Sequence, residues 1–142
     1  MRTALLDVNV VLDVLLNRQP HVIGSAAVWA AAERGKLKAL VAAHGVTTIH
    51  YLLRRQLGTL RARKALAALL LVFGIAAVDE AAIREALELP SGDFEDAVAA
   101  AAARKANCDL IVTRDPKGFR GSRVRVLTPE ALVEVLRVAA GE

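Results

Sequence analysis

The sequence has one cysteine among 142 residues, five aromatic residues in all and four prolines. A lone Cys108 excludes an intramolecular disulfide and any cysteine-rich metal cage, so a reducing, cytoplasmic setting is expected and Cys108 reads as a small buried hydrophobe. The longest apolar run, "ALAALLLVFGIAAV" (65 to 78), is too short to span a bilayer and carries a Gly where a helix should stop. No basic head with a cleavage site opens the chain, and neither a repeat nor a low-complexity tract interrupts it. With so few aromatic residues, base stacking has only Phe119 and Tyr51 to draw on, and any nucleic-acid recognition would rest on shape and charge.

What the chain does have is apolar content of 55%, rich in Ala, Leu and Val, which is enough for one domain with its own core. The net charge is +4, which permits a polyanionic partner without requiring one. Apolar periodicity predicts a strand at 3 to 7 and a helix running through Leu16, then a helix at 21 to 36 and a strand at 37 to 43. Helices follow at 44 to 58 and 60 to 73, a strand near 75 to 79 and a short helix through Leu87. The remainder reads as an Ala-rich helix at 93 to 108, a strand at 109 to 115, an edge strand at 123 to 128 and a final helix opened by Pro129. Strands alternating with helices predict a three-layer α/β/α sandwich around a parallel sheet.

In such sheets ligands bind beyond the carboxyl ends of the strands, which makes the acids there informative. Asp7 ends the first strand, Asp115 ends "DLIVTRD", and Asp93 with Asp96 opens the helix between them. If the first and fourth strands are neighbours, carboxylates from distant parts of the chain converge, and a divalent cation is the usual relief of their repulsion. Mg²⁺ suits such oxygen donors and commonly binds phosphate as well. Each acid also has a local explanation: Asp7 as a helix cap, Asp93 and Asp96 as a capping-box variant, and Asp115 as a turn residue before Pro116. Asn9 reads as a cap or a group that orients a metal-bound water, and Asp13 as a solvated helix residue or an ion-pair partner.

Arg114, Lys117, Arg120, Arg123 and Arg125 cluster beside Asp115 as a candidate phosphate-binding rim. "RRQLGTLRARK" (54 to 64) forms a second basic strip that reads equally as a solvated helix surface.

Taken in order, "LLDVNVVLDVLL" and "DFEDAVAAAAARKANCDLIVTRDPKGF" resemble the PIN domain, in particular the small VapC-type ribonuclease toxins. The family's opening Asp-Thr-Asn is matched by Asp7, Val8 and Asn9, its later Asp by Asp96, and its Thr-x-Asp loop ending in Phe by Thr113, Asp115 and Phe119. This resemblance implies an endoribonuclease dependent on Mg²⁺ or Mn²⁺, with Asp7, Asp96 and Asp115 as ligands and Asp93 as a further candidate. Asn9, Thr113 and Thr48 would support them, Arg114, Lys117 and Arg120 would hold RNA, and the products would carry 5′-phosphate and 3′-hydroxyl ends. It also implies a homodimer paired through apolar helix faces, and a small antitoxin whose tail enters the acidic groove.

Two positions depart from the pattern. Val8 replaces a Thr, and the Glu expected in the helix after the second strand falls on Thr48 within "VTTIHYLLRR", with His50 nearby as a partly exposed helix residue. A hydroxyl is a poorer ligand for a hard cation than a carboxylate. The alternative reading is therefore a weakened or inactive PIN module that binds RNA or a protein. An aspartyl-phosphate receiver would want a Lys at a later strand end, and a dinucleotide fold would want a Gly-rich first turn; this sequence has neither.

Overall fold

The computed structural model describes residues 1–141. Five strands, β1 (Thr3–Leu6), β2 (Lys38–Ala42), β3 (Gly74–Ala76), β4 (Leu110–Val112) and β5 (Arg125–Leu127), form one sheet in the order β3-β2-β1-β4-β5. Every pairing is parallel. Seven helices cover it: α1 (Val8–Leu15), α2 (Val22–Glu33), α3 (Ala43–Leu57), α4 (Thr59–Val72), α5 (Glu80–Glu88), α6 (Phe94–Lys105) and α7 (Pro129–Ala139). This is the three-layer α/β/α sandwich expected from the sequence, with element ends shifted by a few residues.

The strands read as unbroken apolar runs because both sheet faces are covered. Their residues alternate between two cores. Ala4 and Leu6 of β1, Val41 of β2 and Val112 of β4 pack with Val10, Val28, Ile49 and Leu69 beneath α1 to α4 and α7. Leu5, Leu40 and Ile111 face Ala99, Ala102 and Ala103 of α6 on the other side. The seven consecutive residues Ala97 to Ala103 are buried, and small side chains let α6 lie close against the sheet on one face and α5 on the other. Gly58, at φ +82°, turns the chain between α3 and α4, a conformation that costs glycine little. Cys108 is buried as expected, and burial pushes its thiol up to about 11, so it is not a reactive thiolate.

Strand β1 is central, and the chain leaves it toward β2 on one side and β4 on the other. That reversal between β1 and β4 is a topological switch point, and the crevice beyond it is where α/β sheets bind ligands. Among the described residues, no helix is long and apolar enough to cross a membrane.

Candidate acidic site at the carboxyl edge of the sheet

The direct pairing of β1 with β4 brings together the acids that the sequence marks separately. Asp7 follows β1, and its amide continues the ladder by donating to the Val112 carbonyl at 2.9 Å. It stands at the N-cap position of α1, yet its side chain caps nothing: Oδ2 accepts the Thr113 hydroxyl at 2.8 Å. Thr113 is fully buried, and its Oγ also accepts the Asp115 amide at 3.0 Å. One hydroxyl thus fixes the Asp7 carboxylate and the start of the loop that carries Asp115.

Asp96 arrives from the opposite layer. Asp93 caps α6 by accepting the Asp96 amide at 3.0 Å, while the Asp93 amide is satisfied by Ser91. The reciprocal half of a capping box is therefore not needed, and the Asp96 carboxylate lies instead against the loop after β4. A Cβ on Gly118 would stand 2.0 Å from Asp96 Oδ2. Only glycine permits that approach.

The electrostatics follow from this crowding. Burial, with the charges of Asp7, Asp93, Glu95 and Asp115, raises the Asp96 carboxyl to about 7. Burial also raises Asp7, with Glu95 and Asp93 adding repulsion, while the hydrogen bonds from Thr113 and the Val8 backbone partly offset it. The N-termini of α1, α3 and α6 all lie at this edge, and their positive ends favour anionic groups. An excess of hard oxygen donors whose mutual repulsion is unrelieved fits a divalent cation in chemistry and charge. As they stand, no three carboxylate or imidazole groups among the described residues close into a ready-made metal cage.

Two residues that the sequence reading missed belong to the same cleft. Glu95, at the second position of α6, and His44, near the start of α3, line a narrow cavity of about 10 Å³ together with Asp7 and Asp96. Glu95 looks like any acid in a helix's first turn, and His44 stands outside the recognised phrase around Thr48. Neither carries a local signal; only the packing of α3 against α6 reveals them. Thr48 itself is half-buried one helical turn beyond His44.

Several expectations are corrected. Arg114 is not a free, RNA-facing cation: its guanidinium forks onto Asp13, with Nε to Oδ2 at 2.7 Å and Nη2 to Oδ1 at 3.1 Å. Asp13 is not solvated: it is fully buried, accepts Ser25 Oγ at 3.0 Å, and keeps the ion-pair half of its expectation. Asn9 is not the cap of α1, and its Oδ1 accepts from Arg18 at 3.2 Å. Phe119 is buried and cannot stack on a base, whereas Tyr51 is exposed beneath the Arg55 guanidinium. Lys117, Arg120, Arg123 and Arg125 remain exposed, and Lys117 and Arg120 make no ion pair among the described residues.

A family model described as the PIN domain matches residues 3–117, most of the chain, and the protein belongs to that family. No curated protein matches it in sequence. Its fold is similar to FitAcB from Neisseria gonorrhoeae, with TM-score 0.69, 21% identity, and coverage of 89% of this chain and 98% of that one. It is also similar to VapC20 of Mycobacterium tuberculosis, a toxin that cleaves the sarcin-ricin loop, with TM-score 0.64, 20% identity, and coverage of 80% and 90%. VapBC2 from Rickettsia felis, bound to a DNA fragment from its promoter, matches with TM-score 0.65, 14% identity, and coverage of 89% and 98%.

Proposed function

We propose that this PIN domain is a metal-dependent endoribonuclease and the toxin of a toxin-antitoxin pair. What supports the reading is the direct pairing of β1 with β4 in a PIN sheet, which sets the strand ends that lead to Asp7 and Asp115 side by side, together with the Asp96 carboxyl, raised to about 7 by burial and then by the charges of Asp7, Asp93, Glu95 and Asp115. The similar fold of VapC20, a toxin, supports the toxin assignment.

Asp7, Asp96 and Asp115 would hold Mg²⁺ or Mn²⁺, with Asp93 and Glu95 adding negative charge around them. A bound ion of this kind supplies a Lewis acid for the scissile phosphate and an activated water. The chain's own residues do the rest. Thr113 holds Asp7 by donating its hydroxyl proton to Oδ2. Lys117 and Arg120, on the loop that carries Asp115, receive the phosphates flanking the cleaved bond and offset the site's own repulsion of RNA. Burial of Asp7 and Asp96 lowers the local dielectric, so each charge placed there acts more strongly than in water.

An apolar groove between α3 and α4, lined by Val46, Leu66 and Leu70, and the exposed Leu60 and Leu71 support a homodimer through these helices. An antitoxin partner and action in the cytoplasm follow from the same reading. The second reading, an RNA- or protein-binding PIN module without cleavage, is favoured by Thr48 in place of the expected Glu. Cleavage of RNA with Mg²⁺ or Mn²⁺, lost in Asp7→Asn and Asp96→Asn, separates the two. Equal cleavage by all three proteins would remove the site, and binding without cleavage would establish the second reading.

A further inference from the structure

His44 holds a buried nitrogen without a partner at the cleft where the acids meet. Its Nε2 lies 3.0 Å from the Glu95 carbonyl oxygen. A carbonyl can only accept, so Nε2 carries the proton, and in the neutral ring Nδ1 is left as a lone pair. Nδ1 is buried and has no hydrogen-bond partner. An imidazole whose one N–H is anchored to a backbone carbonyl, with the other nitrogen bare, is the arrangement that orients histidine as a metal ligand. A buried acceptor left unmatched is a desolvation cost that a bound cation would relieve.

The position on the helix adds to this. His44 and Thr48 stand four residues apart on α3 and share a face. The expected carboxylate is missing at Thr48, and one turn nearer the sheet His44 lines the same 10 Å³ cavity as Asp7 and Asp96. That space admits one water-sized body.

We propose that, as a cation binds and draws these groups together, His44 Nδ1 becomes its ligand beside Asp7 and Asp96, replacing the absent carboxylate at Thr48 with a nitrogen and shifting the site's preference from Mg²⁺ toward transition divalents. The proposal rests on the cation-binding reading of the acidic cleft. Imidazole nitrogen gains little from Mg²⁺ and progressively more along the series from Mn²⁺ to Co²⁺.

The test uses the full chain loaded with Mn²⁺ or Co²⁺ alone, without RNA. Electron spin-echo spectroscopy of the Mn²⁺ form should show a directly coordinated ¹⁴N, absent from His44→Gln, whose amide can still donate to the Glu95 carbonyl. In calorimetric titrations, His44→Gln should weaken Co²⁺ binding about tenfold while changing Mg²⁺ binding less than about twofold. Circular dichroism checks that the variant is folded, and His50→Gln, which leaves His44 in place, should retain the nitrogen signal. Mn²⁺ bound with no coordinated nitrogen, or a nitrogen signal that survives in His44→Gln, overturns the role of His44 while leaving the carboxylate site intact. Mn²⁺ binding that is undetectable, or unaffected by Asp7→Asn, overturns the cation-binding reading itself and His44's role with it.

Discussion

Arg114 and Asp13 form a two-pronged ion pair that ties the loop after β4 to the first helix, with the Asp13 carboxylate wholly buried. Arg114 directly precedes Asp115 and directly follows Thr113, so the pair anchors two residues of the acidic site from outside it. Ser25 of α2 completes the carboxylate's hydrogen bonds. Removing one partner of a buried pair leaves a charge without compensation, typically at about 3–5 kcal/mol. Arg114→Met leaves the buried Asp13 carboxylate with only Ser25 and, at 4.0 Å, Arg18, and should lower the unfolding free energy by about 3 kcal/mol in urea melts. Asp13→Ala should cost less, because the partly exposed Arg114 guanidinium it frees can turn to water. The double variant should recover part of the loss, because it removes both charges together.

The unliganded protein should lose stability as pH rises from about 4 to 7. Asp96 titrates at about 7 in the folded chain and near the ordinary value of about 3.9 when unfolded, so between those limits the folded state holds the extra proton. Its stabilising contribution is complete below about 4 and gone above about 7. Asp7, raised in the same direction, adds to the slope. Thermal melts across this range should show the decline, and Asp96→Asn should flatten it and raise the melting temperature at pH 8. An unchanged slope in that variant would show that Asp96 is not the titrating group. A divalent cation competes with the same proton, so its binding should strengthen as pH rises through about 7.

The Thr113 hydroxyl holds Asp7 toward its charged form, so deleting that hydrogen bond should raise the Asp7 carboxyl further. Thr113→Val keeps the buried volume but leaves Asp7 with the Val8 backbone alone and the Asp115 amide without its acceptor. The expected cost is about 1–3 kcal/mol of stability. The pH midpoint for Mn²⁺ binding should move upward, and a midpoint that does not move would show that Thr113 acts on packing alone.

Lys117 and Arg120 are exposed cations on the segment that follows Asp115, and replacing both with Ala should weaken RNA binding without altering the fold. Each lost phosphate contact on a single strand reduces the slope of log affinity against log salt by about 0.7, so the pair should reduce it by about 1.4. Arg114→Met should leave the slope nearly unchanged, because its guanidinium is occupied by Asp13. Filter binding at several salt concentrations compares the two.

The sheet, and the strand ends at Asp7 and Asp115 on one edge of it, were legible because they follow from periodicity and from one rule about parallel strands. Apolar runs at 3 to 6 and 110 to 112 have to be buried on both faces, and a parallel pairing then sets their carboxyl ends side by side. What could not be read depends on side chains meeting across layers. Nothing near Arg114 in sequence distinguishes it from Lys117, yet Asp13, 101 residues away, holds its guanidinium in a two-pronged ion pair. His44 and Glu95 are likewise joined only when α3 and α6 dock at the same edge. Phe119 occupies a loop by composition and the second core by packing.

Gly118 gives the sharpest steric test of the site. It lies in the short 3₁₀ turn Pro116–Phe119, its amide bonded to the Asp115 carbonyl at 3.2 Å and its carbonyl accepting Ser91 Oγ at 2.6 Å. These bonds hold the turn from both sides, so it cannot readily retreat from Asp96. A methyl group here would meet a carboxylate oxygen at 2.0 Å, well inside contact distance, and either the carboxylate or the turn would have to move. Gly118→Ala should therefore displace Asp96 relative to Asp7 and Asp115 and weaken Mn²⁺ binding at least tenfold. The sheet core is remote from the turn's exposed side, so unfolding should shift by no more than about 1–3 kcal/mol. Adding Asp96→Asn to Gly118→Ala should reduce Mn²⁺ binding little further, since both changes act through one carboxylate. Full additivity of the two losses would show that the glycine serves the turn and not the acid beside it.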